Sequence, residues 1–121
     1  MKERIYTPII GTSTKEAIKN AVRMSRATGD TIIVKKSWGQ FSVDQNSETH
    51  VMEFVAGFTI EQALQKAIDF AIESESSVIA NINDANIKIN KHTNIKMALA
   101  DYHYQKQLQL KQNANKITNA K

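Results

Sequence analysis

The chain has 121 residues, with 16 Lys or Arg against 12 Asp or Glu, a net charge of +4 and no cysteine. That length supplies one core and not two, and the missing thiols exclude disulfides, thiol catalysis and cysteine-ligated zinc or iron–sulfur sites. Neither an apolar run long enough to cross a bilayer nor a signal-peptide core is present, so the expected location is the cytoplasm, and the abundance of Ile, Asn and Lys fits a bacterial or phage source with an AT-rich genome.

Residues 4–10 are rich in β-branched and aromatic residues and end at Gly11, which predicts a first strand. Pro8 lacks an N–H and places that strand at a sheet edge or bulge. A helix is predicted over 14–28, with Ser13 as N-cap, Glu16 three residues on, a buried stripe of Ala17, Ile18, Ala21 and Val22, and Gly29 as the stop. Residues 31–44 read as one long strand in which Gly39 marks a bulge or a short hairpin tip. The turn formers Asp44-Gln45-Asn46-Ser47 lead to another strand over 50–56.

From there the chain repeats itself. Gly11-Thr12-Ser13-Thr14-Lys15-Glu16-Ala17-Ile18 is echoed without a gap by Gly57-Phe58-Thr59-Ile60-Glu61-Gln62-Ala63-Leu64. A second helix is predicted over 60–74, capped by Thr59, with Ile60, Ala63, Leu64, Ala67, Ile68, Ala71 and Ile72 on one face. Residues 77–90 then echo the long strand. The order strand, helix, strand, strand, helix, strand predicts an α+β, ferredoxin-like βαββαβ fold: two pseudo-repeated βαβ units, about 1–46 and 47–92, with two helices on one face of an antiparallel sheet. A C-terminal helix is expected over 93–113 and a frayed tail over 114–121. Apolar residues on both sides of the strands call for a cover on the second sheet face, and the C-terminal helix is the first candidate, ahead of a second copy or a ligand.

Charge is segregated. Residues 1–46 carry 8 cations against 4 anions, residues 47–90 carry 2 against 7, and residues 91–121 carry 6 against 1. This is either a nucleic-acid footprint at both ends or internal complementarity, in which the basic tail docks on the acidic second unit or on a neighbouring subunit; a homodimer is expected.

No His-Glu-x-x-His, Walker, dinucleotide-glycine or Gly-x-Ser-x-Gly signature occurs, the three histidines lack metal spacing, and nothing in the sequence argues for an enzyme or a cofactor. Two stretches carry binding chemistry. Lys35-Lys36-Ser37-Trp38-Gly39-Gln40-Phe41 mixes cations with stacking surface, with Lys35, Lys36, Trp38 and Phe41 as candidates. The third helix adds Lys96, Tyr102, Tyr104, Lys106 and Lys111. Met52-Glu53-Phe54-Val55-Ala56-Gly57-Phe58 together with Ile5-Tyr6 resembles the RNA-recognition motif, a resemblance that implies base stacking on Tyr6 and Phe54, although the Gly-aromatic pattern before the third strand is missing. Ile10-Gly11-Thr12-Ser13 and Gly57-Phe58 resemble dodecin, a flavin-storing family, but Thr31-Ile32 stands where its stacking aromatic would be, so flavin is not carried over. The function expected is that of a small non-enzymatic protein contacting nucleic acid or a nucleic-acid-handling complex. The alternative is a phage or mobile-element interaction module or inhibitor that docks on a larger host protein.

Overall fold

The computed structural model describes residues 2–46 and 49–119, with side chains described to residue 112. Its element order is β1 (Glu3–Tyr6), α1 (Thr14–Thr28), β2 (Thr31–Lys36), β3 (Gly39–Val43), β4 (Thr49–Phe54), α2 (Ile60–Ser74), β5 (Ser77–Ile82), β6 (Ala85–Ile89) and α3 (Ile95–Asn119). All six strands form one sheet in the order of the sequence.

This corrects the ferredoxin-like expectation. A ferredoxin-like sheet interleaves its halves and is antiparallel throughout, whereas here β1–β2 and β4–β5 are parallel pairs, each bridged by a helix, and β2–β3, β3–β4 and β5–β6 are antiparallel. The unit is βαββ, not βαβ. The break at Ser37-Trp38-Gly39 and at Asn83-Asp84-Ala85 is a hairpin in both halves, so the predicted long strand folds back on itself. Once each half carries its own hairpin, the halves sit side by side, joined by antiparallel pairing of β3 with β4.

The spacing of 46 residues holds across the fold. The bounds of α2, β5 and β6 are those of α1, β2 and β3 shifted by it, and Glu3↔Thr31 and Ile32↔Val43 recur as Thr49↔Ser77 and Val78↔Ile89. Both predicted helix starts are capped. Ser13 Oγ accepts from the Glu16 N–H (3.2 Å), and Thr59 with Gln62 makes the full reciprocal box. The α1 helix stops at Gly29, which takes φ 77° and donates its N–H to the Ser25 carbonyl.

The sheet is covered on one face. Ile32, Val34, Phe41, Val43, Met52, Val78, Ala80, Ile87 and Ile89 are all buried there against Ala17 and Ala21 of α1 and Ala63, Leu64, Ala67, Phe70 and Ala71 of α2. Small alanines at the contact let both helices lie close to the strands. The third helix does not cover the other face. It packs beside α2 and along β6, and its Ala98 and Tyr102 enter the same core. Among the described residues the second face stays open, and an apolar row crosses it, interrupted by Ser42: Ile5 opposite Ile33, and Val51 opposite Ile79. Polar Lys35, Gln40, Glu53, Asn81, Asn86 and Lys88 flank that row. Of the row, Ile33 is 9% exposed and Ile5 65% exposed. Boundaries also move: β1 ends at Tyr6, before Pro8, β4 runs Thr49–Phe54 in place of 50–56, and α3 runs past the expected stop near 113 to Asn119.

Candidate functional site

The candidate surface at residues 35–41 divides by side-chain direction. Lys35 is exposed on the open sheet face, its Nζ donating to Gln40 Oε1, and Lys36 is half-buried on the opposite side of the strand. Trp38 is not a surface ring. It folds back from the hairpin turn and lies 8% exposed, with Phe54 at 5.4 Å, Phe41 at 6.3 Å and Phe70 at 6.4 Å between ring centroids. Phe41 is fully buried and meets Phe70 edge-on at 4.7 Å. These four rings tie the first hairpin to β4 and α2, the arrangement expected of a core cluster. Trp38 and Phe41 therefore cannot stack on a base without unfolding the hairpin.

The pair assigned by resemblance to RNA-recognition motifs fares the same way. Tyr6 lies on the helix-covered side of β1, its hydroxyl accepting from Asn20 Nδ2 (3.1 Å), and Phe54 is held between Trp38 and Phe58. Neither belongs to the open face, where that family stacks its bases. On α3, Tyr102 is buried and its hydroxyl accepts from Asn83 Nδ2 (3.1 Å), while Lys106 Nζ donates to the Asn83 carbonyl (2.8 Å). Lys96, Tyr104 and Lys111 remain exposed.

A cationic row that the sequence reading passed over stands on α1. Lys15, Lys19, Arg23 and Arg26 are all exposed and, at spacings of four, four and three, fall within one narrow arc of the helix. Lys15 lies 3.7 Å from Glu75, and among the described residues Lys19, Arg23 and Arg26 have no ion pair. A shallow depression of about 360 Å³ runs along this row between Ser13 and Arg23. The equivalent positions of α2 are Glu61, Gln65, Asp69 and Ile72, also exposed. The charge segregation noted along the sequence thus becomes two parallel stripes on repeated helices, cationic on the first and acidic to neutral on the second. The signal was present in the sequence as a four-residue cation spacing, but the apolar stripe of the same helix drew the reading.

His50 is the one buried histidine, 3% exposed, with Nδ1–H donating to the Ser42 carbonyl (3.0 Å). Burial lowers its pKa, partly opposed by that hydrogen bond. Its ring borders a cleft of about 540 Å³ lined by Ile18, Val22, Glu75, Asn90 and His92. No group of three or more His, Asp or Glu capable of holding a metal occurs among the described residues, and no described helix is long and apolar enough to cross a membrane.

No family model matches this chain, and comparison with curated proteins and with solved structures yields no match.

Proposed function

We propose that the protein is a non-enzymatic binding module whose ligand is the phosphate backbone of a nucleic acid, held along the exposed face of α1. The observation that carries this reading is the row Lys15, Lys19, Arg23 and Arg26, with three of its four cations free of ion pairs among the described residues. Lys36 adds a half-buried cation on the helix-covered side of the same unit, while Lys35 stands on the open sheet face, away from this row. The mode differs from the stacking surface expected from the sequence: the rings are in the core, so recognition is electrostatic and indifferent to base identity.

The test is a fluorescence anisotropy titration against single- and double-stranded oligonucleotides at two salt concentrations. With three or four phosphates engaged on a duplex, the logarithm of the association constant falls by about 3 for each tenfold rise in salt. Lys19→Glu with Arg23→Glu abolishes binding, whereas Lys35→Ala, on the opposite face of the sheet, leaves it unchanged. No binding at low salt removes the proposal.

One observation favours a second reading, docking on a larger protein. Met97, Tyr104 and Leu108 lie along one side of α3, at 58%, 60% and 39% exposure, an apolar row of the kind that inserts into a partner's groove. Binding through this row is insensitive to salt and survives the α1 charge reversals, which separates it from the first reading.

A further inference from the structure

The two edges of the sheet are finished differently. β1 forms one edge, short and exposed. β6 forms the other, and α3 reaches over it with side chains in place of a strand. Gln105 brackets Asn86, its Oε1 accepting from the Asn86 N–H (3.1 Å) and its Nε2 donating to the Asn86 carbonyl (2.9 Å). One turn on, Gln109 Nε2 donates to the Asp84 carbonyl (3.0 Å).

The internal repeat says what these amides replace. Asn86 and Asp84 are the counterparts, 46 residues on, of Gln40 and Trp38. In the first unit the Trp38 carbonyl accepts from the Val55 N–H (3.0 Å) and Gln40 pairs with Glu53, which makes Trp38/Val55 and Gln40/Glu53 the bonded pairs of the β3–β4 ladder. Gln105 and Gln109 therefore occupy the hydrogen-bonding positions that Glu53 and Val55 fill at the seam between the repeats. The helix stands where a seventh strand would begin.

The counterpart of β4 is β1, which keeps the same register to its parallel neighbour as β4 does. We propose that α3 is a removable plug on the β6 edge, and that the edge beneath it accepts β1 of a second copy of this chain in the β3–β4 geometry. Transferring the observed register sets Ile87 opposite Tyr6, Asn86 opposite Thr7 and Ala85 opposite Pro8 of the incoming copy. Both Ile87 and Tyr6 then lie on the helix-covered face, so the core continues across the junction. Pro8 fits this register: it takes the place of Phe54, whose pair with Gly39 is a non-bonded one, so its missing N–H costs no ladder bond. The contact is head to tail, so its product is a ring or an open series of copies rather than the two-fold homodimer expected from the sequence.

The test uses the full-length chain. Tyr102→Ala, Gln105→Ala and Gln109→Ala are combined, mass is followed by sedimentation velocity over a concentration series, and the near-ultraviolet dichroism of Trp38 reports that both units remain folded. The unaltered chain is expected to stay monomeric, the variant to reach at least twice the monomer mass and grow with concentration, and the addition of Thr7→Pro to restore the monomer by removing the N–H that meets Asn86. A folded variant that remains monomeric overturns the proposal. So do oligomers indifferent to Thr7→Pro, and so does an unaltered chain that assembles as far as the variant. If the triple change costs the Trp38 signal, Gln105→Ala with Gln109→Ala alone is judged by the same readouts and the same outcomes.

Discussion

The two βαββ units share a backbone and divide the labour. On α2 six side chains are buried, Ala63, Leu64, Ala67, Ile68, Phe70 and Ala71; on α1 only Ala17, Ala21 and Ser25 are. Phe70 closes over Phe41, Trp38 and His50, whereas its counterpart Met24 is half-buried at the margin of the core. The second helix builds the interior, and the first leans on it and turns a row of cations outward. A repeated backbone thus lets one copy supply most of the buried helix surface while the other carries the exposed cations, and every position in one unit has a control in the other.

The largest difference should come from the aromatic centre. Phe70→Ala is expected to cost about 3–5 kcal/mol, as full removal of a buried ring does, and Met24→Ala about 1–2 kcal/mol because its side chain is only half covered. Equal losses in chemical denaturation would break the division between the helices.

The hairpins give the next contrast. Asn83 and Asp84 take φ 50° and 67°, a two-residue turn of the mirror-image kind that suits strand twist. Ser37-Trp38 has no such pair, and Gly39 absorbs the geometry at φ 149°, where an added Cβ would sit 2.0 Å from the Glu53 carbonyl oxygen. Gly39→Ala is therefore expected to cost about 2–3 kcal/mol, against about 1 kcal/mol for Ala85→Gly at the matching position.

Smaller again is the effect of acid. His50 occupies the place that Arg4 holds in the first unit, where the guanidinium is exposed and pairs with Asp30 at 3.2 Å. Because burial holds the His50 pKa below its ordinary 6.5, the unfolded chain protonates first. Stability contributed by the neutral ring is complete above that value and drains away as pH falls from about 6.5 toward the folded-state pKa. Denaturant midpoints at pH 8 and pH 5 should differ more in the native chain than in His50→Gln; an identical pH dependence would place the acid-sensitive group elsewhere. Least of all should stability respond to Lys19→Glu with Arg23→Glu, a change within about 0.5 kcal/mol, so that loss of oligonucleotide binding in this variant reports the surface alone.

Much of this plan was legible before the structure. Both repeated helices have the predicted limits, because Ser13, Thr59 and Gly29 make specific backbone bonds whose signals are local. The sheet order was not legible, and the antiparallel, ferredoxin-like expectation failed on it. It turned on whether the glycine at 39 and the Asn-Asp-Ala at 83–85 bend one strand or reverse it, and an alternating apolar pattern continues across either. The burial of Trp38 was hidden for a related reason. Strand parity says which face a residue occupies only while the strand lasts, and Trp38 lies in the turn, free to fold back under Phe54 and Phe70. The cations of α1 were visible as spacing, yet their contrast with Glu61, Gln65 and Asp69 acquires meaning only when the two helices are known to be equivalent.

Strand order along the sheet is strand order along the chain, so each strand can find its neighbour as it leaves the ribosome, without waiting for distant sequence. The rings of Trp38 and Phe41 are the exception. Phe54 reaches Trp38 with β4, but Phe70 is synthesised about thirty residues after Phe41, and until α2 arrives Phe41 lacks the ring that closes over it, the interval in which a growing chain is most exposed to mispairing.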